Sequence, residues 1–342
     1  MDFFAVNTGI FEGHKLWADD LRPATYDDVI GQHYGLSILS SLMKDDYLPN
    51  ILFSGSVGCG KSSITDLLIN EYYSGNPNLL KNAVLRIDGS IHRSKNIITE
   101  VPIKKQNDKW NKAPNVIRFI KLSINLPKGK TKLVVINDFE CMTDDAQMGL
   151  RRIIEKFSHK VKFIFICNHI SGVSEAIQSR CVNIKLTPLP YEDIVDKLVA
   201  ITTNTEISSL IAIIANGDMR MALNMSQLFS GLPQEQQTVA YFNQIFNLPS
   251  IERVKTVIGY CRSGKYSDAI SVVDDFVRED YNIIDVLDIF IKVLQLPQLF
   301  DKKSEHVKIM YIENTIKCIL KLQDTLSYIH LYDLIGKLIK ID

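Results

Sequence analysis

Short apolar runs alternate with amphipathic stretches along the first half of the chain, from Trp17 to about Leu186. Consecutive parallel strands need a crossover helix between them, so this alternation predicts an α/β domain with a mostly parallel sheet. Two of the runs are apolar at successive positions, which is typical of central strands covered on both faces. The predicted strands are Ile51–Ser54, Ala83–Ile87, Lys132–Ile136, Lys162–Cys167 and Val182–Leu186.

The pattern changes at the segment Thr187–Pro190, where two prolines close the last predicted strand. Beyond it the strand pattern disappears, and apolar residues at helical spacing predict a few short helices over 191–230. A further helical region covers 249–342, with its clearest apolar stripes in Ser271–Val277 and Ile283–Leu294. We therefore predict four segments: a loose lead-in (1–15), an α/β nucleotide-binding domain (16–186), a small helical domain (187–235) and a C-terminal helical bundle (236–342).

Composition narrows the class of protein. The 342 residues are 46% hydrophobic and 23% charged, which is ordinary for a globular protein. Lys+Arg and Asp+Glu both number 39, so the formal charge balances; this argues against a coat of basic charge but allows a local nucleic-acid-binding face. The six cysteines include no C-x-x-C pair, which indicates neither a zinc site nor a disulfide framework and fits a reducing compartment. Without a secretion signal or a membrane-length apolar run, we expect an intracellular protein of the nucleus or cytoplasm with no membrane partner.

The most informative pattern is a glycine-rich segment between a predicted strand and a predicted helix. Gly55, Gly60, Lys61 and Ser62 have the spacing G-x-x-x-x-G-K-S, in which backbone N–H groups turn inward around phosphate oxygens. In such a loop the lysine reaches the outer phosphates and the serine hydroxyl joins the shell of a Mg²⁺ ion. A chance glycine-rich turn is the alternative, and the flanking strand and helix argue against it. The predicted ATP-binding residues here are Gly55, Ser56, Val57, Gly58, Cys59, Gly60, Lys61, Ser62 and Ser63.

Two later strands end in polar residues that suit the same site. The run Lys132–Ile136 is followed by Asn137 and Asp138, where we expect a carboxylate next to Mg²⁺ and a residue that orients the attacking water. An ordinary strand that leaves the core through a polar turn is the alternative, since acids after strands are common. The apolar run Phe163–Cys167 ends in Asn168, which is placed to sense the γ-phosphate of a nucleotide.

Five motifs follow one another in the order found in the AAA+ ATPases. Within that class, the chain resembles the small subunits of replication factor C, the sliding-clamp loader, over about residues 16–226. The strings Ser179-Arg180-Cys181 and Gly217-Asp218-Met219-Arg220 are far more specific to this family than the phosphate loop is. The matching stretches are Trp17–Pro23 with Asp27–Gln32, Tyr47–Ser63, Leu126–Lys132 with Cys141–Gln147 and Leu150–Glu155, Ile177–Cys181, and Asn216–Asn224.

The resemblance implies an AAA+ phosphate-loop domain, a helical lid domain and an all-helical collar domain through which subunits oligomerise. It implies ATP and Mg²⁺ as cofactors. The implied partners are the other subunits of a hetero-oligomeric pentamer, a PCNA-like sliding clamp and primed DNA. The implied roles are phosphate and Mg²⁺ binding by Lys61 and Ser62, γ-phosphate contact by Asn168, contact with the same nucleotide by Arg220, a trans arginine finger at Arg180, and proximity to the adenine for Arg22 and Pro23. Taken singly, Arg180 and Arg220 are each more often solvated surface residues.

Two departures from the family pattern bear on hydrolysis and on contacts. The family's acidic strand ends Asp-Glu, whereas Asn137 and Asp138 occupy those positions here. Asn137 is neutral, although its carbonyl accepts a hydrogen bond from a metal-bound water, and Asp138 is one methylene shorter than Glu. The site therefore has two alternatives beyond ATP binding: a hydrolysing subunit, or a structural subunit that supplies Arg180 in trans. The second departure is an insertion between Ser90 and Asn115, where the family's clamp and DNA contacts cannot be carried over.

Clamp loaders of the kind resembled here encircle primer–template DNA and read phosphate positions and duplex shape, for which scattered basic side chains suffice. For each of these basic side chains taken alone, an ordinary solvated surface position is an equally good explanation. Another AAA+ machine, such as a helicase loader, is a further alternative, against which the Ser-Arg-Cys string and the helical C-terminal third argue. The candidate DNA contacts are Arg93, Lys95, Lys128, Lys130 and Lys132.

Overall fold

A computed structural model of the chain describes residues 16–44, 48–94, 115–127, 129–296, 305–322 and 327–341. Within these residues the chain forms two compact units. One, which we call the α/β unit, comprises residues 16–194 and 217–221, and the other, the helical unit, comprises 195–216 and 222–341. The predicted lead-in (1–15), the greater part of the predicted insertion, and the candidate DNA contacts Lys95 and Lys128 lie outside the described residues.

The α/β unit is built on a five-stranded sheet whose order is β2-β3-β4-β1-β5, with every neighbouring pair parallel. This confirms the predicted α/β class, and each strand agrees with its predicted bounds to within one residue at either end. The strands are β1 (Ile51–Ser54), β2 (Val84–Asp88), β3 (Lys132–Asn137), β4 (Val161–Cys167) and β5 (Val182–Lys185).

Alternate residues of each central strand enter two different hydrophobic cores. On β1, Phe53 packs in one core with Ile64 and Leu68, whereas Leu52 packs in the other with Phe163 and Leu150. Both faces of the sheet are therefore covered, which explains why β3 and β4 are apolar at successive positions. The helices of this unit are α1 (Trp17–Asp20), α2 (His33–Lys44), α3 (Lys61–Tyr72), α4 (Pro77–Asn82), α5 (Val116–Lys121), α6 (Asp144–Phe157), α7 (Glu175–Gln178) and the first turn of α8 (Tyr191–Thr202).

Helix α6 illustrates how local chemistry sets these boundaries. Its N-cap Thr143 accepts a hydrogen bond from the backbone N of Ala146, and Asp144 and Asp145 occupy the first turn, where the helix dipole favours negative charge. Buried residues at helical spacing face the sheet, while the opposite face is charged and exposed. The helix therefore lies on the sheet with its charged C-terminal half accessible.

The parallel arrangement places the carboxyl ends of all five strands on one edge of the sheet. Ser54, Asn137 and Cys167 end three neighbouring strands there, and the segment after each leads into a loop. In open α/β sheets, ligands bind outside these carboxyl ends. Asn137 ends β3 at this edge, and Asp138 and Asn168 directly follow β3 and β4 there.

The helical unit has no strand within its described residues, as predicted for the C-terminal region. The predicted stripes at Ser271–Val277 and Ile283–Leu294 fall within its helices. No described helix is both long enough and apolar enough to cross a membrane. The predicted domain boundaries at 187 and 236 stay predictions. The remaining helices are α9 (Thr205–Ala215), α10 (Met219–Ser230, which begins in the α/β unit), α11 (Val239–Ile245), α12 (Ile251–Arg262), α13 (Tyr266–Arg278), α14 (Ile283–Gln295), α15 (Glu305–Leu322) and α16 (Ile329–Leu338).

Candidate nucleotide-binding site

The glycine-rich segment forms the turn between β1 and the N-terminus of α3. Gly58 has φ +68°, a left-handed conformation that side chains rarely adopt. A methyl group on Gly58 would overlap the carboxylate of Asp218, and one on Gly55 would overlap the backbone oxygen of Leu186. The loop thus needs glycine both for its backbone conformation and for close packing, and its N–H groups lead into a helix N-terminus.

Lys61 is the first residue of α3 and is buried, with 8% of its surface exposed. Its Nζ donates hydrogen bonds to the backbone oxygens of Gly55 (2.8 Å) and Ser56 (2.6 Å), so the ammonium group spans the loop. Ser62 and Ser63 follow in the first turn of α3 and are half-buried. An ammonium group and a serine hydroxyl therefore meet at a helix N-terminus, which is a set of groups that bind phosphate.

The side chain of Gln32 links the phosphate loop to the segment that follows β5. Its Nε2 donates to the backbone oxygens of Thr187 (2.7 Å) and Cys59 (3.3 Å), and its Oε1 accepts from the backbone N of Thr187 (3.3 Å). Gln32 is buried, so these bonds are shielded from water. The sequence motif that contains Gln32 gave no hint of this role, because its partners lie 27 and 155 residues away.

The segment Gly217–Met221 lies against the same loop within the α/β unit. The backbone N of Met219 donates to the oxygen of Gly58 (3.2 Å), and the Asp218 carboxylate lies directly beside Gly58. Asp218 Oδ1 also accepts from the backbone N of Met221 (3.0 Å) and so caps the start of α10. The Arg220 side chain is exposed. The structure thus brings the segment of the predicted sensor arginine to the phosphate loop, and the arginine's contact with a nucleotide stays a prediction.

The acidic edge lies at the ends of β3 and β4. Asp138 directly follows β3 and has a left-handed backbone with φ +45°. The Asn168 side-chain Nδ2 donates to Asp138 Oδ1 (3.4 Å) and to Glu140 Oε1 (3.0 Å), and the Asn168 backbone N donates to Glu140 Oε1 (2.9 Å). The structure therefore brings Asn168 and Asp138 together and adds Glu140, to which the sequence analysis gave no role; the nucleotide contacts of Asn168 and Asp138 stay predictions.

The carboxylates of this edge influence one another. Burial raises the pKa of Asp138 above its usual value, the negative charges of Glu140 and Asp88 raise it further, and the hydrogen bond from Asn168 and the charge of Lys61 act in the opposite direction. Asp88 behaves differently, because the Ser90 hydroxyl donates to its Oδ1 (2.6 Å) and lowers its pKa. The Asp138 charge is therefore the more readily neutralised of the two.

The polar residues at the ends of β3 and β4 suit Mg²⁺ only when a bound nucleotide supplies further oxygen ligands. Among the described residues no group of three or more His, Cys, Asp or Glu side chains forms a metal cluster. Mg²⁺, however, is commonly held by one or two carboxylates, water and the phosphates of a nucleotide. Ser62, Asn137 and Asp138 offer hydroxyl, amide and carboxylate oxygens, so the donor set fits that mode. Their part in binding Mg²⁺ stays a prediction.

The guanidinium of Arg180 is bound within its own chain. Nε and Nη2 contact Glu155 Oε1 at 2.9 and 2.6 Å, and Nη1 donates to the backbone oxygen of Ala176 (2.7 Å) and to Ser179 Oγ (3.2 Å). The Arg180 side chain is 30% exposed. A trans role, which stays a prediction, would require exchange of the Glu155 contact for a phosphate.

Arg22 and Pro23 precede the sheet in the N-terminal motif. Arg22 Nη2 pairs with Asp19 (2.7 Å), and Nη1 lies 3.6 Å from Asp66 of α3. Pro23 is half-buried. These contacts fix the motif to the outside of α3, while the predicted proximity of both residues to an adenine stays a prediction.

The candidate DNA contacts differ in accessibility. Arg93 is exposed, and its Nε donates to the backbone oxygen of Ser90 (2.9 Å). The Nζ of Lys130 lies 4.5 Å from the centre of the Tyr72 ring. Lys132 requires a correction: it is buried, and its Nζ donates to the backbone oxygens of Phe119, Ile120 and Leu122 at the end of α5. The expected DNA contact is wrong for Lys132, because these carbonyl groups, not solvent, surround its ammonium group.

The strand order, the phosphate loop after β1 and the polar ends of β3 and β4 together define an AAA+ ATPase domain. A mutant of RuvB from Thermotoga maritima has the same fold, with a TM-score of 0.52 over 84% of this chain and 98% of that structure, at 14% identity. The family described as "DNA polymerase III, delta subunit" matches residues 32–190.

Comparison with relatives that match most of the chain is more specific. A replication factor C small subunit from Picrophilus torridus is 30% identical over 283 residues, which cover 80% of this chain and 82% of that protein. Replication factor C subunit 2 from Arabidopsis thaliana is 27% identical over 330 residues, which cover 94% and 92%. The chain belongs to the family of replication factor C small subunits, which are clamp-loader components.

Proposed function

We propose that this chain binds ATP with Mg²⁺ at the phosphate loop and acts as one subunit of a clamp loader that places a ring-shaped clamp on primer–template DNA. The observation that carries the proposal is the convergence of the loop, the Gly217–Met221 segment and the Asn168–Asp138 pair within one unit. The proposed activity belongs to the nucleus or the cytoplasm and involves no membrane.

Each group has a proposed task that suits its chemistry. The N–H groups of residues 55–63 and the Lys61 ammonium would bind the phosphates, and Lys61 would exchange its two backbone oxygens for phosphate oxygens. Ser62, Asn137 and Asp138 would hold Mg²⁺, which neutralises charge on the phosphates when bound. Asn168 and Arg220 would contact the γ-phosphate end of the nucleotide, and Arg22 and Pro23 the adenine end.

Assembly completes the proposed site. Arg180 would leave Glu155 and enter the nucleotide site of a neighbouring subunit in a hetero-oligomeric pentamer. An arginine supplied in this way contributes about 10³–10⁵ in rate in related phosphoryl-transfer enzymes. Hydrolysis would thereby depend on correct assembly, and the sliding clamp and primed DNA would be the partners that the assembled complex engages.

Binding of labelled ATP to the full chain tests the first part of the proposal. We expect Lys61→Ala to reduce ATP affinity at least about tenfold, because one charge-assisted contact is worth roughly 1.5–3 kcal/mol. Lys81→Ala, at an exposed lysine of α4, is the matched control and should bind as the wild type does. ATP binding that is unchanged in Lys61→Ala would refute the assignment of the loop.

Clamp loading tests the second part. The chain is purified with its partner subunits, and ATP turnover is measured with and without clamp and primed DNA. We expect turnover to rise when both are added and clamp to appear on the DNA. No stimulation together with no loaded clamp would exclude the proposed function. A native mass of five subunits is expected, and a six-subunit ring would favour another AAA+ machine such as a helicase loader.

A non-hydrolysing structural subunit is the second candidate, favoured by Asn137 at the end of β3. In that case the chain would hold ATP as a fixed ligand and would still provide Arg180. Asn137→Asp should then create turnover at this site, whereas a hydrolysing subunit should lose turnover with Lys61→Ala. Single-site turnover in an assembly whose other sites are inactivated separates the two.

A further inference from the structure

One carboxylate oxygen of Glu140 binds both the backbone and the side chain of Asn168, the predicted sensor residue. Glu140 Oε1 accepts from the backbone N of Asn168 (2.9 Å) and from its side-chain Nδ2 (3.0 Å). Two hydrogen bonds to the same residue fix its backbone position and its side-chain rotamer together. Glu140 thus holds the residue that follows β4 through two hydrogen bonds.

Glu140 is itself held firmly. It lies in the tight turn Phe139–Cys141 that follows β3, and the buried Phe139 ring packs 4.4 Å from the ring of Phe165 on β4. A methyl group on Gly172 would lie 2.7 Å from the Cβ of Glu140, so the opposite wall accepts only glycine. The backbone and Cβ of Glu140 are held in this way, so its carboxylate binds Asn168 from a defined position.

The amide group of Asn168 has two hydrogens, and the two contacts differ in length. Nδ2 lies 3.0 Å from Glu140 Oε1 and 3.4 Å from Asp138 Oδ1. Both acceptors are carboxylates, so the NH₂ side of the amide, and not its oxygen, must face them. The bond to Glu140 sets the orientation, and the longer bond to Asp138 is the one that another anionic oxygen can replace.

We propose that Glu140 is a positioning residue that holds the Asn168 amide so that it donates to the terminal phosphate of ATP, and that Glu140 thereby sets the preference of the site for ATP over ADP. The inference rests on the proposed function. A γ-phosphate oxygen would replace Asp138 Oδ1 as the acceptor of the second amide hydrogen without rotation of the side chain. ADP lacks that oxygen and would leave the Asn168–Asp138 bond in place.

The remaining Glu140 oxygen predicts which substitutions preserve this role. Oε2 is buried and has no hydrogen-bond partner among the described residues, so Glu140 holds Asn168 through Oε1 alone. Glu140→Gln keeps an acceptor oxygen in place of Oε1, whereas Glu140→Ala removes it. We therefore expect the glutamine variant to retain discrimination and the alanine variant to lose it.

The experiment is titration of the full chain with labelled ATP and labelled ADP in the presence of Mg²⁺. We expect Glu140→Ala to lower the ratio of ADP to ATP dissociation constants about tenfold, with ADP affinity unchanged, because one hydrogen bond to a charged group is lost. Asn168→Ala should lower the ratio equally, and the double variant should show no further loss. Glu175→Ala, at an exposed acid of α7, is the control.

Three outcomes would overturn the inference. The first is a ratio of ADP to ATP dissociation constants that Asn168→Ala lowers and Glu140→Ala leaves unchanged. The second is a double variant in which the two losses of discrimination add. The third is equal weakening of ATP and ADP binding in Glu140→Ala, which indicates a structural role only. Glu140→Gln keeps the test decisive where Glu140→Ala does not fold, since loss of discrimination in a folded glutamine variant also contradicts it. Failure of the wild type to bind either nucleotide would instead refute the proposed function.

Discussion

Three carbonyl oxygens at the end of α5 surround the ammonium group of Lys132. Helices leave their last carbonyl groups without intrahelical partners, and a lysine near a helix C-terminus satisfies them and complements the helix dipole. Lys132 does this from the first position of β3, so it joins α5 to the sheet. Burial lowers the pKa of Lys132, with a smaller contribution from the nearby charge of Lys160. A residue that looks like surface charge in the sequence is therefore a structural cap.

Lys132→Met should destabilise the chain by about 1–3 kcal/mol, because it leaves buried carbonyl groups without donors. Urea unfolding measures the change. Lys130→Met is the matched control and should cost about 0.5–1 kcal/mol through loss of the contact of Lys130 with the Tyr72 ring. Equal stability of wild type and Lys132→Met would contradict the capping role.

Asp138 links stability to pH. Its pKa in the folded chain is raised above the ordinary value of 3.8, first by burial and then by Glu140 and Asp88. The folded chain therefore binds this proton more tightly than the unfolded chain does. The stability that the protonated form contributes is present at low pH and is lost as pH rises through the raised pKa.

Asp138→Asn should remove that loss. We expect the variant to be more stable than the wild type near neutral pH, and its stability to fall less as pH rises from the ordinary aspartate value of 3.8. Urea midpoints measured across this range for both proteins provide the comparison. Asp196→Asn, at an exposed carboxylate of α8, serves as the control. A wild-type midpoint that rises more steeply with pH than that of Asp138→Asn would show that the sign is wrong.

At the scale of elements, the phosphate loop depends on a segment that lies far away in the chain. Gly58 and Asp218 touch, and the backbone N of Met219 binds the Gly58 oxygen. The strand-loop-helix element therefore does not form its binding surface alone. The start of α10 contributes one wall of it.

Two glycines allow the strain of the loop to be separated from its packing. Gly58 and Gly75 have nearly the same φ, +68° and +67°, but a methyl group would overlap Asp218 at Gly58 and would meet nothing within 4 Å at Gly75. Both alanine variants bear the cost of a left-handed residue, roughly 1–2 kcal/mol. Only Gly58→Ala should lose ATP affinity, by at least about tenfold. ATP titration measures the affinity of each variant, and thermal unfolding measures the stability that both variants lose. Equal loss of affinity in both variants would mean that strain alone matters.

At the scale of the whole molecule, Arg180 connects the chain to its proposed assembly. Its ion pair with Glu155 is half-exposed, and such pairs contribute only about 0–1 kcal/mol to folding. Loss of the Glu155 ion pair is therefore a small cost when the guanidinium moves to a neighbouring nucleotide. The proposed trans role also requires Nη1 to leave the backbone oxygen of Ala176 and the hydroxyl of Ser179.

Arg180→Ala should consequently leave ATP binding by the isolated chain unchanged and lower ATP turnover of the assembled complex at the neighbouring site by about 10³ or more. Arg152→Ala removes another arginine, an exposed one on α6, and should alter neither quantity. Turnover is measured in complexes that carry one variant subunit. Full activity of the Arg180→Ala complex would exclude the trans role.

The apolar pattern was sufficient to predict five strands to within a residue. The central strands β1, β3 and β4 are almost continuously apolar because both of their faces are covered, whereas the edge strands β2 and β5 are shorter apolar runs with exposed polar positions. The spacing of Gly55, Gly60 and Lys61 was sufficient to predict the phosphate loop, because that loop is one local element. The roles of Glu140 and Gln32 were not predicted, since their partners lie 27 to 155 residues away and a single polar side chain carries no periodic pattern. Lys132 was assigned wrongly for the same reason: only the position of α5 makes it a cap.

The sequence by itself determined the order of strands and helices and the identity of the phosphate loop, because these depend on interactions between residues close together along the chain. Only the tertiary structure decided which polar groups meet at the carboxyl edge of the sheet. There the register of β3 and β4 places Asn168 between Asp138 and Glu140, and the start of α10 reaches Gly58. The physical reason is that hydrogen bonds and charge act over a few ångströms of space, and that proximity is created by the packing of distant segments.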